Sequence, residues 1–344
     1  MVRIGVICPS EIAYRRFMPA LAQANGIEFI GIGVCSESER FNEQDNVSCD
    51  VKNKVLNEEK AKAQHFVDTY GGKIFNSYNS VISSDEIDAV YIPLPPGLHY
   101  KWAYAAMKNG KHVLVEKPAT VNRKDTDNLI EIARNKKLAL HENYMFVFHN
   151  QIKEINKIVE NGEIGDVRLY SLYFGFPMRE QNDFRYNKNL GGGALLDAGG
   201  YTLKLANILL GDTAFVKCAK SNYINEYDVD FYGSGTMENK LGQTAQFSFG
   251  IDNDYRCRLD IWGSKGSITT ERILTAPDGF VPTATISKGA EKKTVELSAD
   301  NTFLKSIEYF VDCIENDSQR ETSYREIARQ AEILEQFIKN TDNL

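Results

Sequence analysis

The chain has 344 residues, 42% of them hydrophobic and 25% charged, with a formal net charge of −7. That length corresponds to about two domains and buries a large apolar core without a disulfide framework. The acidic balance argues against a nucleic-acid partner. No run approaches the ~18 apolar residues of a membrane span, and no secretory leader opens the sequence, so a cytoplasmic protein is expected.

The first 145 or so residues alternate short apolar runs with helical patterns. Strands are expected at Val2–Ile7, Glu28–Gly33, Ala89–Ile92, His112–Val115 and Leu138–His141. Helices are expected at Ile12–Ala24, Asn57–Tyr70, Tyr100–Asn109 and Arg123–Asn135. Continuous β-branched runs separated by helices read as a doubly wound parallel sheet, an α/β domain covering residues 1–145.

The first strand-to-helix turn, ICPSEIA, sits where such a domain carries G-x-G-x-x-G or G-x-G-x-x-A to let the backbone close on a pyrophosphate. Cys8, Ser10 and Ala13 hold those positions. Pro9 removes one N–H and Glu11 adds negative charge, but the helix start still offers N–H groups to an anion, Ile12 among them. The second strand ends GIGVCSESER, with Cys35 where a ribose-binding acid would favour NAD(H). Ser36 and Arg40 suit a 2′-phosphate instead, which favours NADP(H) over NAD(H). The polar segment Arg40–Leu56 lacks periodicity. It either folds over the adenosine end or forms a surface excursion.

Three further stretches border the expected carboxyl edge of that sheet. AVYIPLPPGLHYKWA ends a buried strand in Leu94–Pro95, a loop that can line a flat ring, with His99 at the following helix start. HVLVEKPAT ends one in Glu116-Lys117-Pro118. Pro118 restricts Lys117 to extended conformations, so its ammonium is aimed, and a lysine there can polarise or protonate a carbonyl oxygen. A solvated lysine in a turn is the plain alternative. HENYMFVFHNQ then leaves the last strand and enters a second domain, expected over 146–344. Its aromatics Tyr144, Phe146 and Phe148 read as core, and Glu142, Asn143 and His149 are the polar exceptions.

After residue 152 the strands alternate apolar and polar residues (VRLYSLYFGF, TAQFSFGI, YRCRLDIWG, GSITTE), as in an antiparallel sheet with one face packed on helices. A glycine turn launches GGGALLDAGGYTLKLANILLG, in which Asp197 and Tyr201 lie one helical turn apart. Helices Phe303–Glu315 and Ser323–Asn340 close the chain, and packing of these last helices back on the first domain stays open. The six cysteines form no C-x-x-C pair and the five histidines show no ligand spacing, so reduced thiols and no metal site are expected.

Together EKP, the GGGALLD-x-G-x-Y helix, AVYIPLPPGLHY and HENYMFVFHNQ resemble the glucose-fructose oxidoreductase, inositol dehydrogenase and rhizopine-catabolism family, from RIGVI through RQAEILEQF. The resemblance implies an N-terminal Rossmann domain and a C-terminal α+β domain on a large open, mostly antiparallel sheet. It also implies a homodimer or homotetramer through that sheet, and hydride transfer between NAD(P) and a hydroxyl or keto carbon. Many members carry a histidine four residues after the aspartate. With Tyr201 there, this sequence is similar to the branch that holds the sugar 3-ketoreductases of deoxysugar biosynthesis, which use NADPH on a nucleotide-linked keto sugar.

By the same resemblance Lys117, Tyr201 and Asp197 are catalytic, with Tyr201 the proton donor. Cys8, Ser10, Glu11 and Ile12 meet the pyrophosphate of the cofactor, and Cys35, Ser36 and Arg40 its adenosine ribose. Leu94, Pro95, His99, Glu116, Lys117 and Asn143 face the nicotinamide half. Tyr144 and Arg185 join Lys117, Asp197 and Tyr201 toward a small-molecule sugar. Two other readings stand beside this one: a dehydrogenase of a free sugar, cyclitol or dihydrodiol, and a non-catalytic NAD(P)-binding sensor. A sensor has no need of the full set of Lys117, Asp197 and Tyr201.

Overall fold

The computed structural model describes residues 1–41 and 47–342. The chain forms two compact units that interleave in sequence. One comprises Met1–Thr120, Lys124–Asn143 and Phe303–Ala328; the other comprises Val121–Arg123, Tyr144–Thr302 and Arg329–Leu344.

The first unit holds strands β1 (Val2–Val6), β2 (Ile27–Gly33), β3 (Lys73–Phe75), β4 (Ala89–Ile92), β5 (His112–Val115) and β6 (Leu140–Glu142). They form a six-stranded sheet in the order β3-β2-β1-β4-β5-β6, and every pairing is parallel. The central strands are apolar on both faces: Ala89, Val90, Tyr91, Ile92, Val113, Leu114 and Val115 are all fully buried. That is why they read as continuous runs rather than alternations. A π-helical turn (Ala13–Phe17) runs into α1 (Met18–Leu21) after β1. The remaining helices are α2 (Glu37–Arg40), α3 (Cys49–Tyr70), α4 (Tyr78–Ile82), α5 (Pro96–Lys108) and α6 (Arg123–Lys136).

Several elements differ from the sequence expectation. Helix α3 starts at Cys49 rather than Asn57, with the Ser48 hydroxyl accepting from the Val51 N–H. The end of the segment Arg40–Leu56, from Cys49 on, is therefore the first turns of a helix. Its periodicity is weak because α3 fully buries only Ala63 and Phe66. The part of that segment at 42–46 lies outside the described residues. Helix α5 begins at Pro96 instead of near Tyr100, because proline's missing N–H costs nothing in a helix's first turn. Strand β3 and helix α4 are too short, at three and five residues, to leave a pattern.

The second unit opens with α7 (Asn150–Glu160) and β7 (Val167–Gly175). Helix α8 (Gly200–Leu210) follows, then β8 (Phe215–Tyr223), β9 (Asp230–Glu238), β10 (Thr244–Gly250) and β11 (Arg256–Gly263). Strands β12 (Ser267–Glu271), β13 (Thr283–Lys288) and β14 (Glu291–Glu296) complete an eight-stranded sheet, ordered β14-β13-β12-β11-β7-β10-β9-β8. All its pairings are antiparallel except β10 with β7. One face is apolar, with Leu172, Phe174, Phe247, Phe249, Leu259 and Ile261 buried. Trp262 and Tyr232 stand exposed on the other face. The chain closes on α9 (Thr302–Glu315) and α10 (Asp317–Asp342). Segment 303–328 belongs to the first unit, where Tyr324 donates to the Leu138 carbonyl and Ser323 to the Leu140 carbonyl.

A histidine at the start of β5 makes this sheet sensitive to acid. His112 Nδ1 accepts the Ala139 N–H at 2.8 Å, so the ring must be neutral. Burial, with the nearby Arg320 charge, pushes its pKa down to about 4. The unfolded chain takes up this proton below pH 6.5 and the folded chain only near pH 4, so stability is full above 6.5 and falls between these values. Urea unfolding should give wild type a loss of roughly 2–3 kcal/mol from this residue between pH 7 and pH 4, absent in His112→Gln.

Candidate active site

The carboxyl edge of the parallel sheet collects the turns after β1, β2, β4, β5 and β6. In the first of these, Ser10 Oγ accepts the Ala13 N–H at 3.2 Å and caps the helical run that starts at Glu11. The N–H groups of Glu11 and Ile12 precede any intrahelical acceptor, so the turn keeps donors for an anion although no glycine is present. Glu11 is exposed and pairs with Arg15 at 3.4 Å, which partly offsets its charge.

Cys8 stands where the first glycine would be, and its thiol lies against Tyr78 and Glu59. Burial and the Glu59 charge push the thiol up to about 12. The thiol is therefore neutral and half-buried against the wall of the turn.

The end of β2 is organised by two carboxylates that come from other elements. The Cys35 N–H and thiol donate to Glu59 Oε1 and Oε2, each at 2.8 Å, and the Tyr78 hydroxyl donates to the same Oε1 at 2.8 Å. Glu39 accepts the N–H groups of Ser36 (2.8 Å), Tyr78 (3.0 Å) and Asn79 (2.9 Å). Both acids beside this strand end come from helices and accept hydrogen bonds from the protein's own donors. Glu59 escaped the sequence reading because it is 24 residues beyond Cys35. The signal was its place on the stripe Leu56, Glu59, Ala63, Phe66, the one face α3 turns inward. Ser36 precedes α2 as its N-cap and Arg40 is its last residue.

Farther along the edge, His99 lies between two turns. Its Nε2 is 2.7 Å from the Leu94 carbonyl and its Nδ1 2.8 Å from the Pro118 carbonyl, and the ring is fully buried. Burial pushes its pKa down to about 4 against the opposing pull of the two carbonyls. The ring is neutral at pH 7 and carries a single N–H, so it donates to one of these two carbonyls and only packs against the other. Glu116 Oε1 accepts the Tyr91 hydroxyl at 2.7 Å and Asn143 Nδ2 at 2.6 Å. Tyr91 is held from behind by stacking on Phe17, with centroids 3.8 Å apart.

In the second unit a π-helical turn (Leu195–Gly199) runs into α8 and carries Asp197 and Tyr201. Gly191 and Gly193 before it take φ of +74° and +110°, values that favour glycine. The Leu195 N–H donates at 2.7 Å to Asp230, whose carboxyl is pushed up to about 6 by burial. Arg185 Nε donates to Asp197 at 2.5 Å and its Nη1 to Asp183 at 3.1 Å, while its guanidinium packs over Phe184.

Tyr201 is 8% exposed and packs against Tyr144, Phe146 and Phe174, with centroids 5.2, 5.6 and 5.3 Å away. Its hydroxyl lies 3.9 Å from Met145 Sδ. Tyr144 is buried, with its hydroxyl so close to Gly200 that no Cβ fits there. A pocket of about 320 Å³ adjoins the glycine turn, lined by Lys188, Gly192, Leu196, Ser221, Tyr223 and Asp230 among others.

These residues fit a dinucleotide in the first unit, where neutral thiols and free helix-start N–H groups border the edge. Among the described residues no cluster of three or more His, Cys, Asp or Glu suits a metal ion. No described helix is long and apolar enough to cross a membrane.

A profile described as "Oxidoreductase family, NAD-binding Rossmann fold" matches residues 26–144, beginning after the altered first turn. A second, "GFO/IDH/MocA C-terminal domain", matches residues 152–269. The dTDP-3,4-didehydro-2,6-dideoxy-α-D-glucose 3-reductase of Actinomadura kijaniata is 32% identical over 97% of this chain and 94% of its own length. That of Streptomyces violaceoruber is 37% identical over 85% and 80%.

The crystal structure of a 3-ketoreductase from Actinomadura kijaniata in complex with NADP and TDP-benzene superposes with a TM-score of 0.88. It is 30% identical and covers 98% of this chain and 97% of that one. An aldose-aldose oxidoreductase from Caulobacter crescentus, 19% identical with a TM-score of 0.82, shares the fold. The chain belongs to the GFO/IDH/MocA oxidoreductase family and is an NAD(P)-dependent enzyme acting on C=O and CH–OH groups.

Proposed function

We propose that this enzyme reduces the keto group of a nucleoside-diphosphate-linked sugar and prefers NADP(H). The observation that carries the reading is similarity over nearly the whole length of both chains to reductases of dTDP-linked keto sugars. The Lys117 turn and the Asp197–Tyr201 helix, intact in sequence, support it. For the cofactor, Ser36 and Arg40 stand at the end of β2 with Glu39 and Glu59 already bound, so a 2′-phosphate meets a hydroxyl and a guanidinium rather than a loose carboxylate.

The bound dinucleotide supplies a hydride, and this chain's residues manage the oxygen and its proton. Lys117 faces the keto oxygen with a positive charge as negative charge develops there, the main electrostatic demand of the step. The Tyr201 hydroxyl supplies the proton that converts the oxyanion to the alcohol. Its packing among three aromatic rings fixes the direction of that hydroxyl. Asp197 is neutralised by Arg185, which suits it to holding substrate hydroxyls and leaves the proton to tyrosine.

We further propose a homodimer or homotetramer formed through the outer face of the eight-stranded sheet, where Trp262 is 64% and Tyr232 48% exposed. The thiols are all unpaired, which suits a reducing cytoplasm.

Tyr201→Phe should lower kcat by about 10²–10³-fold, the scale of a lost general acid, with dinucleotide affinity within twofold of wild type. Unaltered turnover removes tyrosine from the mechanism. Calorimetric titration should give tighter binding of NADPH than of NADH, and binding of a thymidine diphosphate sugar. A protein that binds the dinucleotide but no nucleotide sugar acts instead on a free polyol. Trp262→Arg should shift the sedimentation coefficient toward the monomer while leaving the far-ultraviolet circular dichroism of the fold in place.

A further inference from the structure

Glu116 stands at the head of a chain of buried hydrogen bonds that no group in the proposed reaction uses directly. Asn143 Nδ2 donates to Glu116 Oε1 at 2.6 Å, the Ser306 hydroxyl donates to Asn143 Oδ1 at 2.7 Å, and His141 Nε2 lies 2.8 Å from Ser306 Oγ. Asn143 and Ser306 are each 1% exposed and His141 4%. Tyr91 reaches the same carboxylate oxygen from β4, and the Lys117 backbone N–H also bonds this carboxylate.

The direction of every bond in the chain is forced. An ionised carboxylate only accepts, so Asn143 must present its NH₂ to Glu116 and its carbonyl to Ser306. Only the serine hydroxyl can donate to that carbonyl, so its proton is spent. Its oxygen then faces His141, whose Nε2 must carry a proton. All the donors thus point toward Glu116. Reversing any one of them would set two acceptors or two donors face to face beside the buried Asn143, Ser306 and His141.

We propose that His141 and Ser306 are positioning residues: they lock the Asn143 amide so that it holds the Glu116 carboxylate, and through it the backbone of Lys117. Neither touches the reacting atoms. Ser306 comes from α9, in the segment the chain returns to the first unit near its C-terminus, so the final helices complete the Glu116-Lys117 turn. The assignment rests on the reading that Lys117 meets the substrate carbonyl.

Burial pushes Glu116 upward, and its donors oppose this. The titratable or charged groups facing it are Tyr91 from β4 and Lys117 beside it, with His141 beyond Asn143. Removing the chain removes donors to the charged form, so protonation of Glu116 should begin at higher pH.

The test follows Glu116 in ¹³C-glutamate-labelled protein by NMR, assigned with Glu116→Gln, and kcat with NADPH and a dTDP-linked 3-keto sugar. Ser306→Ala should move the Glu116 midpoint and the acid limb of kcat to higher pH. It should lower kcat about tenfold, with KM for NADPH within twofold, and Ser306→Thr should restore all three.

Should Ser306→Ala not fold, His141→Phe puts the same question, since it keeps the ring packing on Tyr309 and Phe310 and loses the donor. An unmoved Glu116 midpoint, or failure of Ser306→Thr to restore it, overturns the proposal. Full turnover by Lys117→Ala overturns the catalytic reading instead, and the NMR titration tells the two failures apart.

Discussion

Parallel pairing sends every strand of the first unit's sheet to the same edge, and the chemistry of this enzyme depends on that constraint. Six connections leave from that edge with polar groups that the ladder does not satisfy. Several meet a side chain from elsewhere: Glu59 at the end of β2, His99 beside the turns after β4 and β5, Asn143 beside Glu116. A sheet buried on both faces has no water at hand to do this work, so the ties are internal and fully specified.

A protein of net charge −7 that receives a polyanionic cofactor must keep its own acids occupied. The carboxylates around both candidate regions are bound in this way. Glu11 pairs with Arg15, Glu39 accepts backbone N–H groups, Glu59 takes a thiol, a phenol and an N–H, and Asp197 takes Arg185. The negative charge near Lys117 and Arg40 is thus already shared with donors. The acidity of the whole chain says little about the potential at one edge of one sheet.

The parallel strands were legible because burial on both faces leaves apolar runs, and the second sheet because burial on one face leaves alternation. Lys117, Asp197 and Tyr201 were legible as candidates because each adjoins a proline or glycine signal. Glu59 and Ser306 were not, since each is polar at a position where helical spacing predicts an apolar contact. Their partners lie 24 and 163 residues away. The start of α3 was hidden for the opposite reason. A mostly solvated helix carries little apolar period, and its Ser48 cap resembles any serine in a polar stretch. Local pattern reports burial well and reports polar pairing across distance poorly.

Cys8 looks, in the sequence, like an exposed nucleophile planted in a phosphate loop. In the fold it is a neutral group wedged against a phenol and a carboxylate, and Cys35 nearby is pushed up to about 12 as well. The exposed thiols are Cys49 and Cys218, both away from this turn in sequence. Electrophiles and oxidants that act through thiolates therefore find little of the reactive form at Cys8 or Cys35, although Cys8 is half-exposed.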